Sequence, residues 1–152
     1  MKPHPFASGP ALLLLAACAA SGPDVSAPVL VRLKGVGNNA GEIGQAALVP
    51  VKDTTQINMT LSGVPPSTTR PIHVYTYIYE GSCGSLPEKP AYELTDRVLV
   101  SSSAGNGRPP FTLSLTAPVP MGQLLGGRYA LALRNAPADG NWLIYCAELR
   151  RS

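Results

Sequence analysis

The sequence predicts an all-β protein, an antiparallel sandwich of about seven or eight strands. Short apolar or alternating runs recur along the chain, and they are separated by clusters drawn from 15 glycines and 16 prolines in 152 residues. Charged residues make up 14% of the chain, against roughly 25% in an average soluble domain, which disfavours long solvated helices. The net charge of +3 is too small to indicate a nucleic-acid partner.

The N-terminus precedes the first predicted strand and has the pattern of an export signal. Met1 and Lys2 form a short basic start, and residues 11–17 form an apolar run of 7 residues, far short of the roughly 20 that a transmembrane helix needs. The run ends in Leu15-Ala16-Ala17-Cys18, which resembles the lipobox of bacterial lipoproteins. An ordinary secretory signal followed by a chance cysteine is the alternative.

The lipobox resemblance implies cleavage before Cys18 and acylation of its thiol and of the new amino group. More than one acyl chain is needed for stable anchoring, so such a cysteine would hold the protein on a membrane without a transmembrane helix. Ala19, rather than aspartate, follows the cysteine, which implies the outer membrane with its periplasmic face. We therefore expect a signal over residues 1–17, a lipidated cysteine and flexible tether over 18–28, and one β-sandwich domain over 29–152.

The domain contains eight strand-like runs and one short helical turn. Residues 56–62 alternate with period two, as a half-buried strand does. A helical turn is predicted at residues 121–125, between Pro120 and Gly126, and Asp139-Gly140 predicts a turn between the last two strands. The strands predicted in chain order are 29–34, 45–52, 56–62, 72–79, 93–101, 111–116, 128–134 and 142–149.

The fourth run is the richest in candidate functional residues. Its alternation places Ile72, Val74 and Ile78 on one face and a row of ring side chains on the other. Tyrosine offers a flat apolar body with a polar tip, which suits a sugar face or a protein interface. The row is a candidate binding surface, although the rings are also compatible with packing under the following loop. Its members are His73, Tyr75, Tyr77 and Tyr79.

The two remaining cysteines, Cys83 and Cys146, form an even pair in a protein that we expect to be exported. The simplest interpretation is one disulfide. Two metal ligands or a redox pair are the alternative, which the long spacing between them disfavours.

Two segments resemble the copper/zinc superoxide dismutase-like sandwich, in the broad sense that includes chordin-type (CHRD) domains. In the first, the Gly63-Val64-Pro65 turn is followed by a strand and by the loop cysteine Cys83. In the second, a strand led by Tyr129 is followed by one that carries Cys146. The resemblance covers roughly residues 45–149 and implies an antiparallel Greek-key β-sandwich in which Cys146 bridges back to the loop of Cys83.

The departures from that family concern its metal site. Tyr77 and Tyr79 stand where the resemblance implies a His-x-His pair, and Arg134 stands at the position of a closing-strand histidine. Once the signal is removed, His73 is the only histidine, and one imidazole is too few for a copper site. A tyrosine hydroxyl stays protonated near neutral pH, and arginine does not coordinate metals.

We therefore expect no catalytic residues, no metal and no cofactor. The predicted function is that of a non-enzymatic, membrane-anchored envelope lipoprotein, an interaction or structural module that could contact an envelope protein or polysaccharide. The candidate surface is the row of His73, Tyr75, Tyr77 and Tyr79, with Arg134 added. Two alternatives remain open, a copper-binding or superoxide dismutase-like enzyme with a degenerate site around His73, Tyr77 and Tyr79, and a carbohydrate-binding module.

Overall fold

The structure, a computed structural model, describes residues 27–151. Within that range it is all-β, with nine antiparallel strands and one short α-helix, which confirms the predicted fold class. No helix in this range is long and apolar enough to cross a membrane. The predicted signal and Cys18, the predicted lipidation residue, lie outside the described residues. The strands are β1 Val29–Gly35, β2 Ile43–Val51, β3 Thr54–Leu61, β4 Val74–Glu80, β5 Tyr92–Leu94, β6 Ser101–Ser102, β7 Phe111–Ala117, β8 Tyr129–Asn135 and β9 Leu143–Leu149, and the helix is α1 Met121–Gly126.

The strands form one curled sheet in the order β5-β4-β8-β9-β1-β2-β3-β7-β6. Its two end strands belong to the same stretch of chain. Leu99 forms a β-bridge with His73, just before β4, and Ser101 pairs with Thr112 on β7. The stretch that contains β5 and β6 therefore runs first along β4 and then along β7, so that it connects the two ends of the strand order.

The change of partner explains why the predicted strand 93–101 is two strands. β5 pairs with β4 through the register of Ile78 and Tyr92, whereas β6 pairs with β7. Between them Leu99 still bridges to His73, and the chain then crosses from β4 to β7. The remaining predicted strands and the helical turn agree with the observed elements to within about two residues, the usual uncertainty of such boundaries.

The core lies inside the curl, and both halves of the sheet contribute to it. Side chains alternate between the core and the outside along β3 and β7, as expected for strands with one buried face. Burying a Leu or Ile side chain stabilises the fold by about 1.5–3 kcal/mol. The fully buried aliphatic side chains of the core include Leu33, Leu48, Ile57, Leu61, Ile78, Leu131 and Leu133.

One end of the core is closed by a tyrosine of β9. The hydroxyl of Tyr145, which is fully buried, donates to the carbonyl oxygen of Gly63 at 2.7 Å and accepts from the amide of the same residue at 3.4 Å. Both backbone groups of Gly63 are thus satisfied inside the protein. This contact ties β9 to the turn that follows β3.

Of the long strands that are neighbours in the sheet, β1 and β9 share the fewest residue pairs. β1 pairs with β2 over six residue pairs, from Val29 to Lys34, but with β9 at two only, Lys34 with Cys146 and Gly35 with Tyr145. The first part of β1 and the last part of β9 are therefore not in register with each other. A surface groove occupies this part of the sheet, between residues of β1 and residues of β9.

Candidate binding face on the outer side of the sheet

The candidate binding face is the outer side of β4, β8 and β9. On β4, the backbone alternation directs Tyr75, Tyr77 and Tyr79 away from the main core, since Val74, Thr76 and Ile78 are buried on the inner side. The register places Ala130 opposite Tyr79, Ala132 opposite Tyr77 and Arg134 opposite Tyr75. Two alanines beside two tyrosines leave room for the aromatic rings to lie against the sheet.

Tyr79 is buried on this outer side. Only 4% of it is exposed, and it forms a second small hydrophobic cluster with Ala130, Ala132 and Cys146. Cys83 and Leu86, from the loop that follows β4, pack on the same cluster. Tyr79, which the sequence analysis placed on the candidate surface, therefore lies beneath a loop and offers no accessible ring.

The covering loop is fastened to β9 at two residues of the same face, Cys146 and Glu148. The Cα atoms of Cys83 and Cys146 are 5.9 Å apart and their sulfurs are joined, within the range of roughly 4.4–6.8 Å that disulfides occupy. The amide of Cys83 also donates to the Glu148 carboxylate at 2.8 Å. The predicted cysteine pairing is confirmed, and it holds the loop over Tyr79.

Tyr77 lies at the border between the covered and the open part of the face. It is half-buried, and its ring centroid is 6.2 Å from that of Tyr79, with an interplanar angle of 49°. This tilted geometry is common for favourable aromatic pairs. Burial raises the pKa of the Tyr77 hydroxyl, the carboxylate of Glu93 raises it further, and Arg134 opposes both by stabilising the phenolate.

Arg134 is held in position at the open part of the face. It stands opposite Tyr75 on β4 and opposite Leu143 on β9, where the register shifts by a β-bulge. Its Nη1 donates to the carbonyl oxygen of Asn141 at 3.0 Å. One edge of the guanidinium is thereby fixed, and a guanidinium has further donors that can bind a carboxylate, a phosphate or sugar hydroxyls.

Sequence reasoning missed Trp142, which directly follows Asn141, the backbone partner of Arg134. It is 60% exposed, and it directly precedes Leu143, which packs on the outer cluster. Its amide donates to the Asn135 side-chain oxygen at 2.6 Å, and its ring lies against Gly140, where a Cβ would come within 2.3 Å of Nε1. Gly140 also has a φ of 96°, which glycine adopts without strain. A lone tryptophan just after an Asp-Gly turn was the available signal.

His73 lies apart from the two tyrosines with which it was grouped as a degenerate copper site. It precedes β4 and bridges to Leu99, four residues before Tyr77 along an extended chain. That spacing is about 13 Å between Cα atoms. Within residues 27–151, no group of three or more His, Cys, Asp or Glu side chains is arranged to hold a metal ion.

No protein-family model and no curated protein sequence matches this chain. Its function is therefore inferred from the geometry of the faces described above.

Proposed function

We propose that the protein is a non-enzymatic lipoprotein of the bacterial envelope, anchored by Cys18 on the periplasmic face of the outer membrane, and that its domain is an interaction module. The resemblance of the mature domain to the superoxide dismutase-like sandwich belongs to the same proposal. In it the scaffold is kept and the metal-ligand histidines are replaced by Tyr77, Tyr79 and Arg134.

The observation that carries the interaction proposal is the exposed ring of Trp142, next in the chain to Asn141, whose carbonyl oxygen binds Arg134 of the outer sheet face. We call Tyr75, Tyr77, Arg134 and Trp142 the aromatic face. Trp, Tyr and Arg are the residues that most often dominate the energetics of protein interfaces. Here the Arg134 guanidinium donates to Asn141 and the Trp142 ring lies against Gly140, so binding would order few additional groups, which lowers its entropic cost.

A polysaccharide of the envelope is the ligand class that the exposed tryptophan favours over a protein partner. Aromatic rings pack against the apolar faces of sugars while a guanidinium donates to their hydroxyl groups. Trp142 at 60% exposure offers one such ring without any change in the sheet. A protein partner of the envelope is the second candidate.

The test is retention of the full-length protein on purified peptidoglycan and on envelope polysaccharide. We expect retention that Trp142→Ala and Tyr77→Ala each reduce about tenfold, the loss of one aromatic contact of roughly 1–3 kcal/mol. Val51→Ala is the matched control, because Val51 is also exposed, at 44%, and lies at the end of β2, away from β4, β8 and β9 in the strand order. Equal retention of all variants would contradict the proposal, and retention only on envelope proteins would favour the second candidate.

The anchor and the absence of a metal are tested separately. Cys18→Ser is expected to abolish acylation, detected by mass spectrometry of the N-terminal peptide, and to move the protein out of the lipoprotein fraction of the membrane. Metal analysis of protein purified without added metal is expected to find no stoichiometric copper. Stoichiometric copper that is lost on His73→Ala would instead support the degenerate-enzyme alternative.

A further inference from the structure

The outer side of the other half of the sheet has a different composition from the aromatic face. Along β1 the side chains of Leu30, Arg32 and Lys34 point outward and are exposed, while Val31 and Leu33 point into the core. The register sets Ile43 of β2 beside Lys34. Leu30 is 56% and Ile43 is 65% exposed, so aliphatic and cationic side chains share this surface.

Arg150, just after β9, adds a further cation to the same surface. It lines the groove that also contains Leu30, Arg32, Lys34 and Ile43. Glu148 also lines the groove, and its carboxylate, which accepts the amide of Cys83, keeps its negative charge. The three cations of the groove, Arg32, Lys34 and Arg150, outnumber it. We call Leu30, Arg32, Lys34, Ile43 and Arg150 the cationic face, and its charges make it suited to an anionic surface.

The position of this face in the chain identifies its occupant. β1 begins at Val29, directly after the predicted tether, and in the register of β1 with β9 the start of β1 and the end of β9 lie at the same end of the sheet. A chain from Cys18 to Pro28 spans at most about 35 Å. An anchored protein would therefore keep the start of β1 within about that distance of the lipid surface, and the cationic face at a high effective concentration there.

We infer that the cationic face docks on the anionic headgroups of the membrane that holds the protein, with Leu30 and Ile43 at the interface. This inference rests on the proposed lipid anchor. Basic side chains near a membrane are attracted by the negative surface potential, and exposed aliphatic side chains among them are typical of surfaces that lie at the headgroup level. Docking would fix the orientation of the domain, which the tether alone leaves free.

Lysine labelling of the full-length protein in vesicles tests the inference. The reporter is Lys34 on the cationic face, and the internal reference is Lys89, which is exposed in the loop after β4. In vesicles that contain phosphatidylglycerol we expect labelling of Lys34 relative to Lys89 to fall about threefold below that in phosphatidylcholine vesicles, since several cations contribute. High salt is expected to restore it by screening.

Variants assign the protection to particular residues. Arg32→Gln with Arg150→Gln is expected to remove the difference between the two kinds of vesicle. Arg97→Gln is the control, because Arg97 is an exposed cation between β5 and β6, and it is expected to leave the difference intact. Leu30→Ser is expected to weaken the protection without changing its dependence on salt.

The outcomes separate the inference from the anchor on which it rests. Flotation of the protein with both kinds of vesicle reports the anchor, and its failure in phosphatidylcholine would contradict lipidation. Flotation with equal labelling of Lys34 in both would overturn the docking inference alone. Equal protection of Lys34 by polyglutamate added to phosphatidylcholine vesicles would also overturn it, because the face would then bind anionic polymers in general.

Discussion

The two halves of the sheet are alike on their inner sides and different on their outer sides. Leu33 on β1 and Leu131 on β8 are both fully buried in the same core. On the outside, Tyr79 of β4 is 4% exposed, whereas Ile43 of β2 is 65% exposed. The same alternating pattern thus gives a covered face in one half and a bare face in the other.

The connections between strands account for this difference. β2 and β3 are joined by a two-residue turn, Lys52 and Asp53, which is too short to fold back over the sheet. The chain between β4 and β5 is longer, and Cys83 and Leu86 of that connection pack on the outer cluster. Burial on the outer side is therefore decided by loop length and by the cross-link to Cys146, which a pattern of polar and apolar residues does not encode.

Removal of the disulfide between Cys83 and Cys146 is expected to have the largest effect, because this bond holds the loop that covers one of the two outer faces. Replacing Cys83 and Cys146 together by alanine is expected to lower the free energy of unfolding by about 4 kcal/mol, as loop entropy gives for a closure of this length; the sequence separation is 63 residues. The measurement is denaturant unfolding under oxidising conditions. Reduction should bring the wild-type protein to the stability of the variant, and an unchanged wild-type midpoint after complete reduction would contradict the prediction.

Truncation of one side chain on each outer face, Tyr79 and Leu30, is the second test. Tyr79→Ala is expected to cost about 3 kcal/mol, because it opens a cavity beneath the disulfide loop. Leu30→Ala on the bare face should cost within about 0.5 kcal/mol, as for other exposed positions. Thermal unfolding compares them directly, and similar losses for the two variants would mean that the covered face contributes no more to stability than the bare one.

Tyr145→Phe tests a buried hydrogen bond of β9, the strand that joins the two halves of the sheet by pairing with β8 and with β1. The variant leaves the amide and carbonyl of Gly63 without their buried partner, so we expect a loss of about 1–2 kcal/mol in unfolding free energy. Tyr75→Phe is the matched control on a half-buried ring. A loss below 0.5 kcal/mol, roughly the size of ordinary surface effects, would show that solvent replaces the hydroxyl.

The smallest expected effect on stability comes from the titration of the Tyr77 hydroxyl. Its folded-state pKa is raised, chiefly by burial, so the native protein binds that proton more tightly than the unfolded chain does. The associated stability is complete below the unfolded pKa of about 10 and is lost as the pH rises through the folded value. In a pH titration, the phenolate absorbance of the wild type should exceed that of Tyr77→Phe by the contribution of one tyrosine, and this contribution should appear above the pH at which an ordinary tyrosine titrates. If the midpoint of this difference lay at or below the ordinary pKa of tyrosine, the raised pKa of Tyr77 would be contradicted.

Local sequence patterns were sufficient for most of the strands but not for the site. The period-two run at residues 56–62 and the cysteine pair led to the correct fold class and cross-link, because alternation and an even number of cysteines each have a direct physical consequence. The break between β5 and β6 could not be predicted, since it depends on which distant strand each residue meets. Packing of the rings under the following loop was one of the two alternatives that the sequence left open for Tyr79, and the exposure of Trp142 depends on how loops fold over the sheet.

The short strands at the two ends of the curled sheet affect how copies of the protein behave when they are close together. β5 is three residues long and β6 is two, and the chain between them joins the two margins of the sheet. Short edge strands present few unpaired amides and carbonyls of their own in a row, which is one way in which natural β-proteins avoid pairing with copies of themselves. On the membrane surface proposed for this protein, copies would meet constantly, and β5 and β6 would offer those encounters little backbone on which a fibril could nucleate.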